Sequence, residues 1–62
     1  MQPHEILARA VDEQGRRQAW IAERMGVSES TVSLWLAGKR ELPEARRLEM
    51  AALLGVAEEA TK

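Results

Sequence analysis

The sequence predicts an all-α fold, a compact bundle of four to five helices. Three observations carry this. Apolar residues recur at i, i+3 and i+4 instead of alternating, and glycines stand at the ends of the periodic runs, at Gly15, Gly26, Gly38 and Gly55. No strand pattern, internal repeat or low-complexity segment interrupts them. With 62 residues the chain is expected to form one small domain over 1–62, too short for a second core or a separate ligand-binding module. A stability of about 0.05 to 0.15 kcal/mol per residue amounts to roughly 3 to 9 kcal/mol for such a chain. Tight packing or association would therefore help.

Each helix has its own signals. Pro3 suits a first helical position and Gly15 a residue just past a helix end, so the first helix is predicted over Pro3 to Gln14, with Ile6, Leu7, Ala10 and Val11 inward. The second runs from Arg17 or Gln18 to Met25, burying Ile21, Ala22 and Met25, and stops at Gly26. Ser28 offers an N-cap oxygen to a third helix, Glu29 to Ala37, closed by Gly38. Leu42 and Pro43 open a fourth, in which Glu44 lies near the positive helix end, and Gly55 stops it after Leu54. Residues 56–62 are predicted as a short fifth turn or a frayed tail.

Composition removes several classes of function. The chain has no cysteine, hence no disulfide framework or thiolate metal site, and its single histidine, His4, is expected on the surface near the N-terminus. No constellation of nucleophile, base and orienting partner, no metal-ligand cluster and no phosphate-cradling glycine loop is present, so neither enzyme activity nor a cofactor is expected. No apolar run approaches the roughly 18 residues of a membrane span, and the opening residues lack the apolar block of a signal peptide, so the expected location is the cytoplasm.

Net charge is −1, which by itself does not mark a nucleic-acid binder. Its distribution is more informative. Residues 16–40 hold five bases (Arg16, Arg17, Arg24, Lys39, Arg40) against two acids (Glu23, Glu29), a balance of +3; the remainder holds four bases against eight acids, or −4.

The third helix has a face with no long side chain except one acid and one leucine. At about 100° per residue, Glu29, Ser30, Ser33, Leu34 and Ala37 share one arc, while Thr31, Val32 and Trp35 share the opposite one and Leu36 lies on the border. Val32 and Trp35 are the buried anchors of this pattern. The short face allows close approach, as a helix needs in a DNA major groove about 12 Å wide.

The segment Gln18 to Lys39, QAWIAERMGVSESTVSLWLAGK, resembles the helix-turn-helix of the Cro and phage-repressor family, whose fold is that of the lambda-repressor-like DNA-binding domains. Small Ala22, Gly26 at the turn, Val27 after it, apolar Val32, Ser33-Leu34-Trp35 and the Gly38-Lys39-Arg40 exit carry the likeness, and the motif covers about 18–38. Leu-Pro and the LEMAALLGV stretch resemble the family's fourth helix, extending it over roughly Ile6 to Val56. Ala22 would let two helices cross closely, and Gly26 permits a left-handed turn.

In that family the second helix of the motif lies in the major groove and the first crosses the backbone, a geometry the Cro and repressor proteins themselves exemplify. The resemblance implies that Arg17 and Gln18 meet phosphate, that Ser28, Glu29, Ser30, Ser33 and Leu34 face base edges, and that Lys39, Arg40 and the amides opening the fourth helix hold another phosphate. Glu29 has two readings, an acceptor for the cytosine amino group or a first-turn acid favoured by the helix dipole. Leu34 likewise reads as a partner for a thymine methyl or as an ordinary exposed leucine. Ala37 stands where family members often carry a phosphate-binding polar side chain. Val11 and Leu36 stand where many pair an arginine with a glutamate, which implies an apolar contact in place of an ion pair.

Two further features are open in sequence. Trp20 points away from Ile21 and Met25, so it caps the first helix, packs on a neighbouring helix, touches the DNA backbone or meets a protein. Arg46 and Arg47 read as a solvated helical face, with a further DNA site as the alternative. The expected function is a small DNA-binding transcriptional regulator, a repressor acting by promoter occupancy as a homodimer on a pseudo-palindromic operator, with Leu53 and Val56 as dimer contacts and no small-molecule ligand. The rival is a protein-interaction module, such as an antitoxin or accessory subunit that kept this fold, favoured by the acidic flanks and Trp20.

Overall fold

A computed structural model describes residues 2–61. Four α-helices follow in order, α1 (Pro3–Gln14), α2 (Gln18–Met25), α3 (Glu29–Leu36) and α4 (Glu44–Leu54), and a 3-10 turn occupies Glu58–Thr61. Among the described residues there is no strand. The architecture is all-α, as the periodicity predicts.

The helices end where their sequences break. Pro3 opens α1 behind an extended Gln2, where its fixed φ suits the first turn and its missing N–H is not needed. Between α2 and α3, Gly26 adopts φ 69°, a left-handed conformation that a side chain disfavours. From there the Val27 N–H reaches back to the Ala22 carbonyl at 3.0 Å and closes the α2 end. Val27 tucks against the core, and Ser28 begins the next helix one residue later. The connection is thus three residues long, which holds α2 and α3 in the most extensive helix pairing of the fold.

One core unites the elements. Leu7, Ala10 and Val11 of α1, Ile21, Ala22 and Met25 of α2, Val32, Trp35 and Leu36 of α3, and Met50, Ala51 and Leu54 of α4 are buried together. Every predicted inward position is among them except Ile6, which is half-buried. Val11 and Leu36 both lie in this core, so the apolar replacement implied for an ion pair is the arrangement present. At the opposite end of α1, the Gln14 amide donates to the Leu54 carbonyl at 2.6 Å and ties α1 to the last turn of α4.

Two expectations need correction, and a third is decided between its alternatives. Arg46 and Arg47 are not a solvated face. Arg46 donates to the Met25 carbonyl at 3.0 Å, satisfying the end of α2, and pairs with Glu49 at 3.3 Å; Arg47 donates to the Thr61 hydroxyl at 2.7 Å and lies 3.7 Å from Glu44. Of the two readings open for the tail, the short turn is the one present up to Thr61, which is fully buried and whose hydroxyl also donates to the Glu58 carbonyl. His4 is half-buried and packs over Gly38 instead of standing free on the surface. In each case a side chain meets a segment distant in sequence.

Candidate nucleic-acid interface

The candidate interface is built on α3, and its first element is a cap. The Ser28 hydroxyl accepts a hydrogen bond from the Thr31 N–H at 3.1 Å and shares another with the Thr31 hydroxyl at 2.8 Å. This satisfies one of the orphan amides of the first turn. Ser28 is exposed, but its oxygen is already engaged. Thr31 turns half inward beside it.

The remaining short side chains separate by face, as the wheel predicts. Glu29, Ser30, Ser33, Leu34 and Ala37 are exposed, whereas Val32 and Trp35 are 0% and 5% exposed and fasten α3 to the core. Leu34, at 37%, is the large apolar side chain left exposed among the described residues. Gln18, at the start of α2, joins Glu29, Ser30, Ser33 and Leu34 in lining one open depression. Four candidate base-facing residues and one candidate phosphate residue therefore share a continuous surface. Ser28 lies outside that depression.

The far end of α3 is closed by a left-handed glycine. Gly38 has φ 73°, its N–H donates to the Trp35 carbonyl at 3.1 Å, and the Lys39 and Arg40 amides converge on the Leu34 carbonyl at 3.0 and 3.3 Å. These bonds satisfy the last carbonyls of the helix and turn the chain sharply. Lys39 and Arg40 emerge exposed immediately beyond the α3 face. Arg17 stands exposed at the other side, as the extended residue that opens α2. The amides opening α4 follow Pro43 and receive no side-chain cap.

Electrostatics separate two sets of arginines. The ion pairs among the described residues are Arg46 with Glu49 and Arg47 with Glu44, and the His4 Nε2 lies 4.0 Å from a Glu5 carboxylate oxygen. Arg16, Arg17, Lys39 and Arg40 take no part in them. Among the described residues the ion-paired arginines thus belong to α4, whereas Arg16, Arg17, Lys39 and Arg40 beside α3 form no ion pair, nor do Arg9 of α1 and Arg24 of α2, even though the net charge of the chain is −1.

Arg16, which reading the sequence for a motif does not single out, also lies beside this surface. Its guanidinium lies over the Trp20 ring, 4.5 Å from the centroid, and it borders a second depression with Gln18, Ser33 and Ala37. Arg24 approaches the same ring at 5.4 Å. Of the alternatives open for Trp20, packing on the bundle is the one observed, since the ring is half-buried against the core. The spacing Arg16, Trp20, Arg24 carries the signal, being i, i+4, i+8. Among the described residues no group of His, Asp or Glu is arranged to hold a metal ion, and no helix is long and apolar enough to cross a membrane.

A helix-turn-helix domain family model matches residues 5–62, nearly the whole chain. The chain belongs to the helix-turn-helix domain family. No curated protein and no solved structure gives a match. The matched residues take in α2, α3 and the short Gly26 to Ser28 connection between them. Membership in the helix-turn-helix family points to a DNA-binding regulator.

Proposed function

We propose that the chain is a sequence-specific regulator of transcription that binds double-stranded DNA with α3 in the major groove, in the manner of a small Cro-like repressor of the cytoplasm. One observation carries this reading: the exposed face of α3 has no long side chain except Glu29 and Leu34 and is flanked on both sides by cations that form no ion pair among the described residues. Short side chains let a helix enter a groove about 12 Å wide, and unpaired cations release phosphate counterions on binding.

On this reading Arg17 and Gln18 hold the backbone at the α2 start, and Lys39, Arg40 and the α4 amides hold it beyond α3. Glu29, Ser30, Ser33 and Leu34 face the base edges. Ser28 sits at the margin, its hydroxyl engaged twice by Thr31 and left with one hydrogen-bonding position for a base. A single domain of this kind makes few base contacts, so we assign function to a homodimer on a pseudo-palindromic operator, with half-sites about 34 Å apart. Occupancy of a promoter then suffices for repression. Leu53 and Val56 are half-buried and border the α4 surface assigned to the dimer.

Fluorescence anisotropy of a labelled random duplex tests the reading. Non-specific binding with Kd between about 10⁻⁶ and 10⁻⁴ M, weakening steeply as salt rises, is the expected result. Absence of binding at low salt rejects it and leaves a protein-interaction module. Selection of bound sites from a random duplex library then reports the half-site and, through its symmetry, the dimer.

A further inference from the structure

We infer that Arg16, held in place by the Trp20 ring, binds a backbone phosphate of duplex DNA, with Trp20 as its positioning residue. This rests on the DNA-binding reading above and adds a contact that lies outside the motif helices. The Arg16 backbone is pinned, because its N–H donates to the Val11 carbonyl at 3.0 Å at the end of α1. Its exposed side chain is biased towards one position, with the guanidinium 4.5 Å from the centroid of a ring that is itself packed against the core. A stacked guanidinium keeps its edge N–H groups free, in a planar fork that matches a phosphate. Holding it beforehand reduces the rotamer freedom lost on binding.

The charge around it favours an anion. Arg16 and Arg24 crowd one indole, yet neither pairs with a carboxylate or donates a side-chain hydrogen bond among the described residues. Arg46 and Arg47, by contrast, are both satisfied within the protein. Arg16 also stands in the right place: it borders an open depression with Gln18, Ser33 and Ala37, next to the α3 face, where the small Ala37 leaves room for a strand. Asp12 borders the same depression without pairing to Arg16, and it opposes the anion.

The test is the salt dependence of random-duplex binding by the full chain, with helicity checked by circular dichroism. Arg16→Ala is expected to bind about five- to tenfold more weakly near 0.1 M salt on every sequence and to lower the salt slope by about 0.9, the value of one phosphate. Arg16→Lys keeps the slope and loses part of the affinity, because the charge remains and the stack does not. Trp20→Phe retains most of the affinity. Trp20→Leu reproduces most of the Arg16→Ala loss and adds none in the Arg16→Ala background, a coupling that a purely structural tryptophan would not show. Asp12→Asn tightens binding. An Arg16→Ala protein with wild-type slope and affinity overturns the assignment while leaving the DNA-binding reading intact. A wild-type chain that ignores duplex at low salt overturns both.

Discussion

The Arg47 guanidinium donates to the Thr61 hydroxyl at 2.7 Å, joining α4 to a residue with no solvent exposure. The same hydroxyl donates onward to the Glu58 carbonyl at 2.9 Å. This small network anchors the last turn against the bundle, and it withdraws Arg47 from the cations that face outward.

Breaking that network lowers stability and leaves DNA binding alone. Hydrogen bonds to charged groups contribute about 1.5 to 3 kcal/mol, so Arg47→Ala is expected to destabilise by about that amount in urea denaturation. The salt slope of duplex binding stays at the wild-type value. A fall in the slope would show that Arg47 reaches the DNA backbone.

Gly38 carries two constraints at once. Its φ is 73°, and a Cβ built there would meet the His4 imidazole Nε2 at 2.5 Å. Gly26, with φ 69°, has open space at the same position. Gly26→Ala should lose about 1 to 2 kcal/mol, the strain of a left-handed non-glycine residue. Gly38→Ala should lose more, and His4→Ala in that background should recover the excess. Thermal melts of the four proteins decide it; equal losses at the two glycines would show that the imidazole moves aside freely.

Ser28 separates stability from recognition. Ser28→Ala removes the cap and is expected to destabilise by about 0.5 to 2 kcal/mol, while Ser28→Gly loses only a few tenths. Sites selected by a folded Ser28→Gly protein should match those of the wild type closely, since the hydroxyl is engaged with Thr31. A changed site preference would assign Ser28 to the bases after all.

The proposed readout face and its flanks differ in kind. Ser33→Ala and Glu29→Ala should alter which sequences are preferred. Lys39→Ala and Arg40→Ala should weaken all sequences similarly and lower the salt slope by about 0.9 each. Competition between specific and random duplex measures both effects. Uniform losses for all four variants would remove the distinction between reading and holding.

Most of the helical frame was legible because its signals are local. Pro3, Gly15, Gly26, Ser28 and Gly55 each mark a helix boundary within one residue of where it falls. The division of α3 into a buried arc at Val32 and Trp35 and an exposed arc at Glu29, Ser30, Ser33 and Leu34 follows from helical periodicity alone. What could not be read were partners far apart in the chain. Arg46 meets Met25, Arg47 meets Thr61, His4 covers Gly38, and Gln14 reaches Leu54.

The sequence by itself determined which residues form helices, where each helix stops and which face of α3 stays free, because backbone capping and periodicity act over a few residues. Only the tertiary structure decided which arginines are spent inside the protein and which remain available outside. Sequence spacing treats Arg16 and Arg47 as equivalent exposed cations. Packing brings a hydroxyl to one and an indole to the other, and that difference in neighbours sets the charge α3 presents.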